Sequence, residues 1–365
     1  MLAPSIAAQS SDLENSLPRR AANIDFASDL TLLKASADRG LSWLAAQQQD
    51  NGSWPGHVGH KQSHSYRVII WSDSQGRKGD GHLGVTSLAG LAFLAGGHLP
   101  DRGKYGDVVH STIDYILAHM KDNGFVTDGG SRMYSHAFAT LFLAQIYGMG
   151  REKRTNLGLE RAVHWIIDSQ NRQGGWRYNP FAEDADLSVT VCQLQALRSA
   201  RNIGVNVPRG TIDRAVDYVA RSHAKSGSEK GRFYYKVEGR GAWRKTRQYS
   251  INAAGLTSLF SAGIHDPEIY EPVLDFLDEE YHDLVADFRN HFYYWYGNYY
   301  ACQAYFQAGG LAFRNYHRRI CSDLMDDQED DGRWRNDVGP GDALSTAVAS
   351  MILQIPLQYL PIFQR

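Results

Sequence analysis

Neither sign of charge dominates this chain: 38 Lys and Arg face 40 Asp and Glu across 365 residues, for a formal net charge of -2. Without a basic surplus there is no electrostatic footprint for wrapping a polyanion, so no nucleic-acid partner is expected. Cysteine is scarce as well. Cys192, Cys302 and Cys321 are too few and too scattered for a disulfide framework, and their odd number leaves at least one unpaired. Long hydrophobic runs are also missing. The most apolar stretches, around Leu88 to Leu94 and Ala347 to Leu357, carry small or polar residues and fall short of the roughly 18–20 residues of a membrane span, so no transmembrane segment is expected. The first ten residues hold small residues, Ser5 and Ala7, like those before a signal-peptidase cut, but no basic or apolar region precedes them. This end reads either as a trimmed export signal of a periplasm-like protein or as the floppy end of a cytoplasmic one.

What the chain does have is 43% hydrophobic residues against 21% charged, which excludes disorder, and 12% aromatics, 20 of them Tyr. Tyr lines a mixed or wet cavity better than Phe because its hydroxyl stays satisfied there. The chain also repeats itself. A spacing of Gln, three residues, Gly, one residue, Trp occurs three times: Gln48, Gly52, Trp54; Gln170, Gly174, Trp176; and Gln328, Gly332, Trp334. A large aromatic stands five residues before the Gln at Trp43 and Trp165. The same step joins Tyr115 to Met120, Tyr218 to His223 and Phe276 to Tyr281. Counting those as degenerate copies gives six repeats.

Each copy opens with a helix-period segment, such as Leu41 to Gln49 or Ala162 to Gln170, that stops at Asn, Asp or Gly. A second helix follows, apolar nearly all round: Val85 to Ala95, Met133 to Tyr147, Leu187 to Ala200, Tyr249 to Ala262, Phe292 to Ala308 and Ala343 to Ile355. Such helices must be buried, whereas the first helices keep a charged face, as at Asp275, Asp278, Glu279 and Glu280. Six hairpins with buried second helices stack as a solenoid or close as a ring. The uncapped, apolar last helix favours closure, since open arrays need polar caps. The expected fold is therefore all-α, an α/α toroid of six helical hairpins. Residues 1–30 are expected to be a tail and 31–365 one domain with a polar insert at about 57–81. The apolar, Pro-punctuated end from Ile355 to Arg365 either plugs the ring or docks elsewhere.

The three Gln-x-x-x-Gly-x-Trp copies resemble the QW repeats of squalene-hopene and oxidosqualene cyclases. The helix pairs are similar to the toroid those cyclases share with protein prenyltransferase β subunits. In that family the Gln and Trp are structural, so the resemblance implies a fold and leaves the chemistry to sites. Asp184-Ala185-Asp186-Leu187 looks like the cyclases' Asp-x-Asp-Asp acid, with Leu187 in place of the last carboxylate. The resemblance implies Asp186 as the proton donor to an alkene and Asp184 as its helper. The plain alternative is that either Asp caps the helix from Leu187. Tyr300-Ala301-Cys302 resembles the prenyltransferase zinc segment Asp-x-Cys, but Tyr stands for Asp and Ser345 for the His. Only His291 is left to help, so zinc chemistry is not expected. The thioester segment of complement and macroglobulins, Cys-Gly-Glu-Gln, does not occur. Asp326 to Asp330 matches the magnesium-binding Asp-Asp-x-x-Asp string but overlaps the third Gln-Gly-Trp copy, which reads as a solvated acidic turn. His57, His60 and His64 sit in an unpatterned polar stretch and read as solvated. No metal or cofactor is expected.

Nine aromatics from Phe292 to Phe306 crowd one inner helix. Some should reach the central cavity, where aromatic faces hold an isoprenoid chain and stabilise a carbocation. The expected substrate-binding residues are Tyr134, His136, Tyr249, Asn252, Tyr293, Trp295, Tyr299 and Phe306, with Asn298 a further polar candidate. The expected function is a terpenoid-cyclase-like protein that binds an isoprenoid or similar apolar small molecule, with acid-initiated cyclisation. The alternatives are a non-catalytic binding or scaffold toroid, and a polysaccharide-processing toroid. Triterpene cyclases resemble two toroids in tandem and this chain has residues for one, so a second protein chain is a possible partner.

Overall fold

The computed structural model describes residues 26–56, 81–128, 132–147, 153–238, 248–337 and 339–363. Among them are twelve α-helices: α1 (Phe26–Gln47), α2 (Leu83–Ala95), α3 (Gly106–Ala118), α4 (Arg132–Gln145), α5 (Lys153–Asp168), α6 (Leu187–Asn202), α7 (Arg209–Ser222), α8 (Tyr249–Ser261), α9 (Pro267–Phe288), α10 (Phe292–Ala308), α11 (Gly310–Asp327) and α12 (Asp342–Gln354). The even-numbered helices are the apolar ones. Every residue of α2 is buried, as a helix without a polar face must be. The odd-numbered helices bury one stripe, in α7 Thr211, Ile212, Ala215, Tyr218, Val219 and Ser222, and give the other face to solvent. α1 begins at Phe26, inside the stretch expected to be a tail, and buries Leu33, Ala37, Leu41 and Leu44.

The even helices close on themselves: α2 packs on α4, α4 on α6, α6 on α8, α8 on α10, α10 on α12, and α12 back on α2. Each outer helix packs on the inner helix before it in the chain, α3 on α2 through to α11 on α10. α1, the first of the described helices, packs on α12. The ring is thus an α/α toroid sealed by its first and last helices, which gives the apolar α12 the partners it lacks in sequence. No helix among the described residues is long and apolar enough to cross a membrane.

The three Gln-Gly-Trp copies make the same bonds. Gln48 Nε2 donates to the carbonyls of Gly52 and Val108, both at 3.0 Å. Gln170 does so to Gly174 and Thr211 (2.8 and 3.0 Å) and Gln328 to Gly332 and Ser36 (2.8 and 2.9 Å). Each Gln ties its own turn to the next outer helix. Each indole Nε1 reaches back to a carbonyl of its own outer helix: Trp54 to Leu44, Trp176 to Ile166 and Trp334 to Leu324. The middle Gly has φ of +85°, +90° and +97°, and a Cβ there would stand 2.1–2.6 Å from a carbonyl oxygen of the neighbouring outer helix. Only Gly satisfies both demands.

The end of the chain docks rather than plugs the mouth where the inner helices begin. Gln354 Nε2 donates to Ala92 O (3.1 Å) and Tyr359 lies against Gly97, both at the far end of α2, and Leu360 is buried. Most of the polar insert, with His57, His60 and His64, lies outside the described residues.

Candidate functional site

The inner helices share a register that positions the site. The residue just before the first apolar position is His82, Arg132, Asp186, Gln248, His291 or Asp342. Three of these cap their helix with the side chain: His82, Asp186 and His291 accept from the N–H of Val85, Val189 and Tyr293. Four residues further on stand Thr86, His136, Thr190, Asn252, Trp295 and Thr346. Five of these accept the backbone N–H of the Trp, or of the residue in its place, from the preceding turn. Thr86 takes Trp54, Thr190 takes Trp176 and Thr346 takes Trp334, while His136 Nδ1 takes Val126 (3.1 Å) and Asn252 Oδ1 takes Phe233 (2.8 Å).

Asp186 is the capping residue of α6 and has no exposed surface. Its Oδ1 accepts from Val189 N (2.9 Å) and Ser188 Oγ (2.6 Å), and its Oδ2 from Arg177 Nη1 (2.5 Å). Burial pushes its carboxyl above the usual carboxylate range, against Ser188, the Val189 amide and Arg177, which draw it down. Asp184 is half-buried. The Lys236 ammonium, 2.5 Å away, holds it below the usual range, with Arg177 Nε at 3.6 Å adding to the effect. The two carboxylates therefore differ: one is buried and pushed towards its neutral form, the other is wetted and held ionised.

Tyrosines surround this pair. Tyr134 of α4 donates to Ser188 Oγ at 2.6 Å, and the Tyr235 hydroxyl stands 3.3 Å from the same oxygen. Tyr235 also hydrogen-bonds Tyr178, whose ring lies under the Arg177 guanidinium (4.6 Å) and is 39% exposed. Tyr296 of α10 donates to Ser188 O and meets Tyr134 edge-on. Burial pushes Tyr134, Tyr235 and Tyr296 above the usual phenol range, so all three stay neutral. An open cleft of about 530 Å³ borders this mouth, lined by His119, Lys121, Phe125, Asp128, Arg132 and Asn179 among others.

Of the expected site residues, the structure thus brings Asp186, Asp184 and Tyr134 together. Tyr299 lies deeper in the lumen, where it meets Phe138 edge-on and faces Gln195 Oε1 (3.3 Å), while Gln195 reaches Gln303 (2.6 Å). These contacts join α4 with α10 and α6 with α10, pairs that do not adjoin in the ring, so at this depth side chains meet across the middle. Tyr293 sits at the start of α10, stacked on His291. Trp295 is buried. The other four lie between the layers. Burial pushes the His136 imidazole down to about 3, and with Nδ1 accepting from Val126 its Nε2–H donates to Ala162 O (3.1 Å). Asn252 holds Phe233, Tyr249 packs on Tyr281 of α9, and Phe306 packs on Phe313 of α11. Tyr249 and Tyr316 both donate to Asn298 Oδ1.

Cys302 is buried, donates to Tyr299 O and lies three turns from His291. Among the described residues no three of His, Cys, Asp or Glu converge as metal ligands. Asp327 pairs with Arg289 and Gln328 serves its turn, so the acidic string lies on the outer layer. Sequence reasoning missed Arg177, Tyr178, Ser188, Tyr235 and Lys236. The register carried one usable signal, since Thr86, Thr190 and Thr346 share a position with His136 and Asn252.

No protein-family model matches the chain. Over 149 residues it is 28% identical to the drimenyl diphosphate synthase of Streptomyces showdoensis, a match over 40% of this chain and about a quarter (26%) of that protein. The GH76A α-1,6-mannanase of Salegentibacter sp. HEL1_6 superposes with a TM-score of 0.62 at 8% identity, over 88% of this chain and 98% of that one. A variant of the type II terpene cyclase MstE from Scytonema, in complex with its substrate geranylgeranyl dihydroxybenzoate, gives 0.58 at 12% identity over 92% and 100%. These likenesses show the α/α-toroid fold, which glycosidases and terpene cyclases both use.

Proposed function

We propose that this chain is a terpenoid-cyclase-like protein that binds an isoprenoid-like apolar chain at the mouth of the ring and protonates it through Asp186. The observation that carries the reading is the buried Asp186 carboxyl bonded to Ser188, whose hydroxyl accepts from Tyr134 and whose carbonyl accepts from Tyr296. Protonating an alkene needs an acid that holds its proton until substrate arrives and then releases it readily. Burial serves the first need. Arg177, Ser188 and the Val189 amide stabilise the carboxylate that is left, which serves the second. Asp184 assists by fixing Lys236 and Arg177, and the tyrosine faces stabilise the new cation. The partial match to a drimenyl diphosphate synthase supports this chemistry.

A second reading, sugar-chain processing, has the GH76 likeness behind it, together with exposed aromatics beside the cleft, Phe181 at 58% and Tyr178 at 39%. One experiment separates the two. Wild type and Asp186→Asn are incubated with squalene, with farnesyl and geranylgeranyl diphosphates, and with α-1,6-mannan. Lipid extracts are then analysed by gas chromatography with mass spectrometry, and the polysaccharide by its new reducing ends. A cyclised isoprenoid from the wild type, reduced by at least about 100-fold in Asp186→Asn, is the expected result. Asn keeps an acceptor for the Val189 N–H, so the variant should fold. New reducing ends would favour the glycosidase reading, and no product from either class would overturn the acid role.

A further inference from the structure

We propose that the lumen is a blind apolar chamber, floored by Leu141, Met351 and Tyr299, and that this floor limits the isoprenoid to a short one, of farnesyl length or less. The inference rests on the proposed function for the nature of the chain and deepens it to a length class. The residues that accept the N–H of the preceding turn, among them Thr86, His136, Thr190 and Thr346, face the outer layer. A residue two places from one of them lies about 200° around its helix and so faces the lumen. In α6 these are Ser188 and Cys192. Both are bridged from α10, since Tyr296 donates to Ser188 O (3.1 Å) and the Tyr300 hydroxyl stands 3.1 Å from Cys192 Sγ. On the α8 side Ala254 is fully buried and Thr257 donates to Tyr300 O (2.8 Å), which closes that flank. The lumen that is left lies between α10, α12, α2 and α4.

Exposure marks the depth of this remaining space. Leu344, Phe138 and Leu88, each two places from Thr346, His136 or Thr86, keep 9, 7 and 5% of their surface. One turn further in, five places past the same residues, Leu91, Leu141 and Met351 keep at most 1%. Tyr299 spans the two levels, edge-on to Phe138 and 3.3 Å from Gln195 Oε1. Below this layer the lining turns polar. Gln145 Nε2 donates to Ser199 Oγ (2.5 Å), and Gln145 Oε1 is buried with no partner among the described residues. An apolar tail pushed that far would keep water from a group that has no other partner, at a cost in free energy. From Tyr134, which bonds Ser188 beside the acid, to Leu141 is seven residues of α4, about 10 Å at the helical rise per residue. A farnesyl chain has to fold to fit that depth, and squalene has no space below to run into.

The test needs no turnover. Isothermal titration calorimetry measures the binding of straight-chain alkanols, from butanol to dodecanol, to the wild type. Each methylene that enters the chamber should raise the affinity about fourfold, the ordinary gain for burying one. Once the tail meets the floor, the gain per methylene should fall away. Met351→Ala removes floor atoms and should move this break to longer chains, whereas Leu88→Phe fills the chamber and should move it to shorter ones. Circular dichroism on the same samples shows whether each variant is folded. A gain that runs unbroken to dodecanol, a break that stays put in either folded variant, or a wild type that binds no alkanol would overturn the chamber. If the break moves as expected but no isoprenoid is cyclised, the proposed activity fails alone and the chamber stands. If the protein is active, the wild type should cyclise farnesyl diphosphate and not squalene, and a cyclised squalene would overturn the length limit.

Discussion

Replacing His136 with Asn should flatten the acid side of this protein's stability profile. His136 is fully buried in α4 and fills the position held by Thr or Asn in four of the other inner helices, so Asn can accept the same Val126 N–H. Burial lowers its pKa from 6.5 to about 3. For a base lowered in the folded state, the stabilisation is complete above the unfolded value and is lost as pH falls from 6.5 towards 3. By proton linkage the loss attributable to this one imidazole is about 2 kcal/mol between pH 7 and pH 5, and about 3 kcal/mol by pH 4. His223, His291 and His317 are also lowered by burial, to about 4, but both proteins carry them and their effect cancels. The assay is urea unfolding of wild type and His136→Asn at pH 7 and pH 5 at one ionic strength. The wild type should lose about 2 kcal/mol more than the variant over that interval. Equal losses would refute the reasoning, because they would mean that His136 takes up a proton in the folded protein as easily as in the unfolded chain.

Two further outcomes test the repeat. Gly174→Ala puts a Cβ 2.4 Å from Arg214 O at φ +90°, whereas Gly204→Ala, at φ +93°, meets nothing within 4 Å. The first should cost at least about 2 kcal/mol more than the second in denaturant unfolding, since only the clash separates them. Thr190→Val leaves the buried Trp176 N–H, now 3.1 Å from Thr190 Oγ1, without an acceptor. It should cost about 1–3 kcal/mol, and Thr190→Ser should recover most of that if the hydroxyl is what matters.

The toroid was legible in the sequence because its signals are local. Gln48 bonds Gly52 four residues on, Trp54 reaches back ten residues to Leu44, and the alternation of apolar and one-faced helices follows from composition and a 3.6-residue period. Closure was legible for a related reason, since α12 has no polar face to offer water. The site was legible only in part. Asp184 and Asp186 stand out because two carboxylates flank a helix start, and the cap at Asp186 is itself a local interaction. On helices buried all round, however, helical phase does not say which side chains face the lumen and which face the outer layer. Thus Tyr249 and Phe306 carry no sequence mark that separates them from pocket residues, and His136 and Asn252 carry only the repeat position they share with Thr86, Thr190 and Thr346, although all four hold the layers together.

The sequence by itself determined the repeat, the two layers and the capping carboxylate. Only the tertiary structure decided what surrounds that carboxylate: Arg177 from one turn, Tyr235 and Lys236 from another some fifty residues away in sequence, and Tyr134 and Tyr296 from two other helices. The physical reason is that charge pairing and hydroxyl contacts act across space with no period along the chain, so packing the ring is what brings them together.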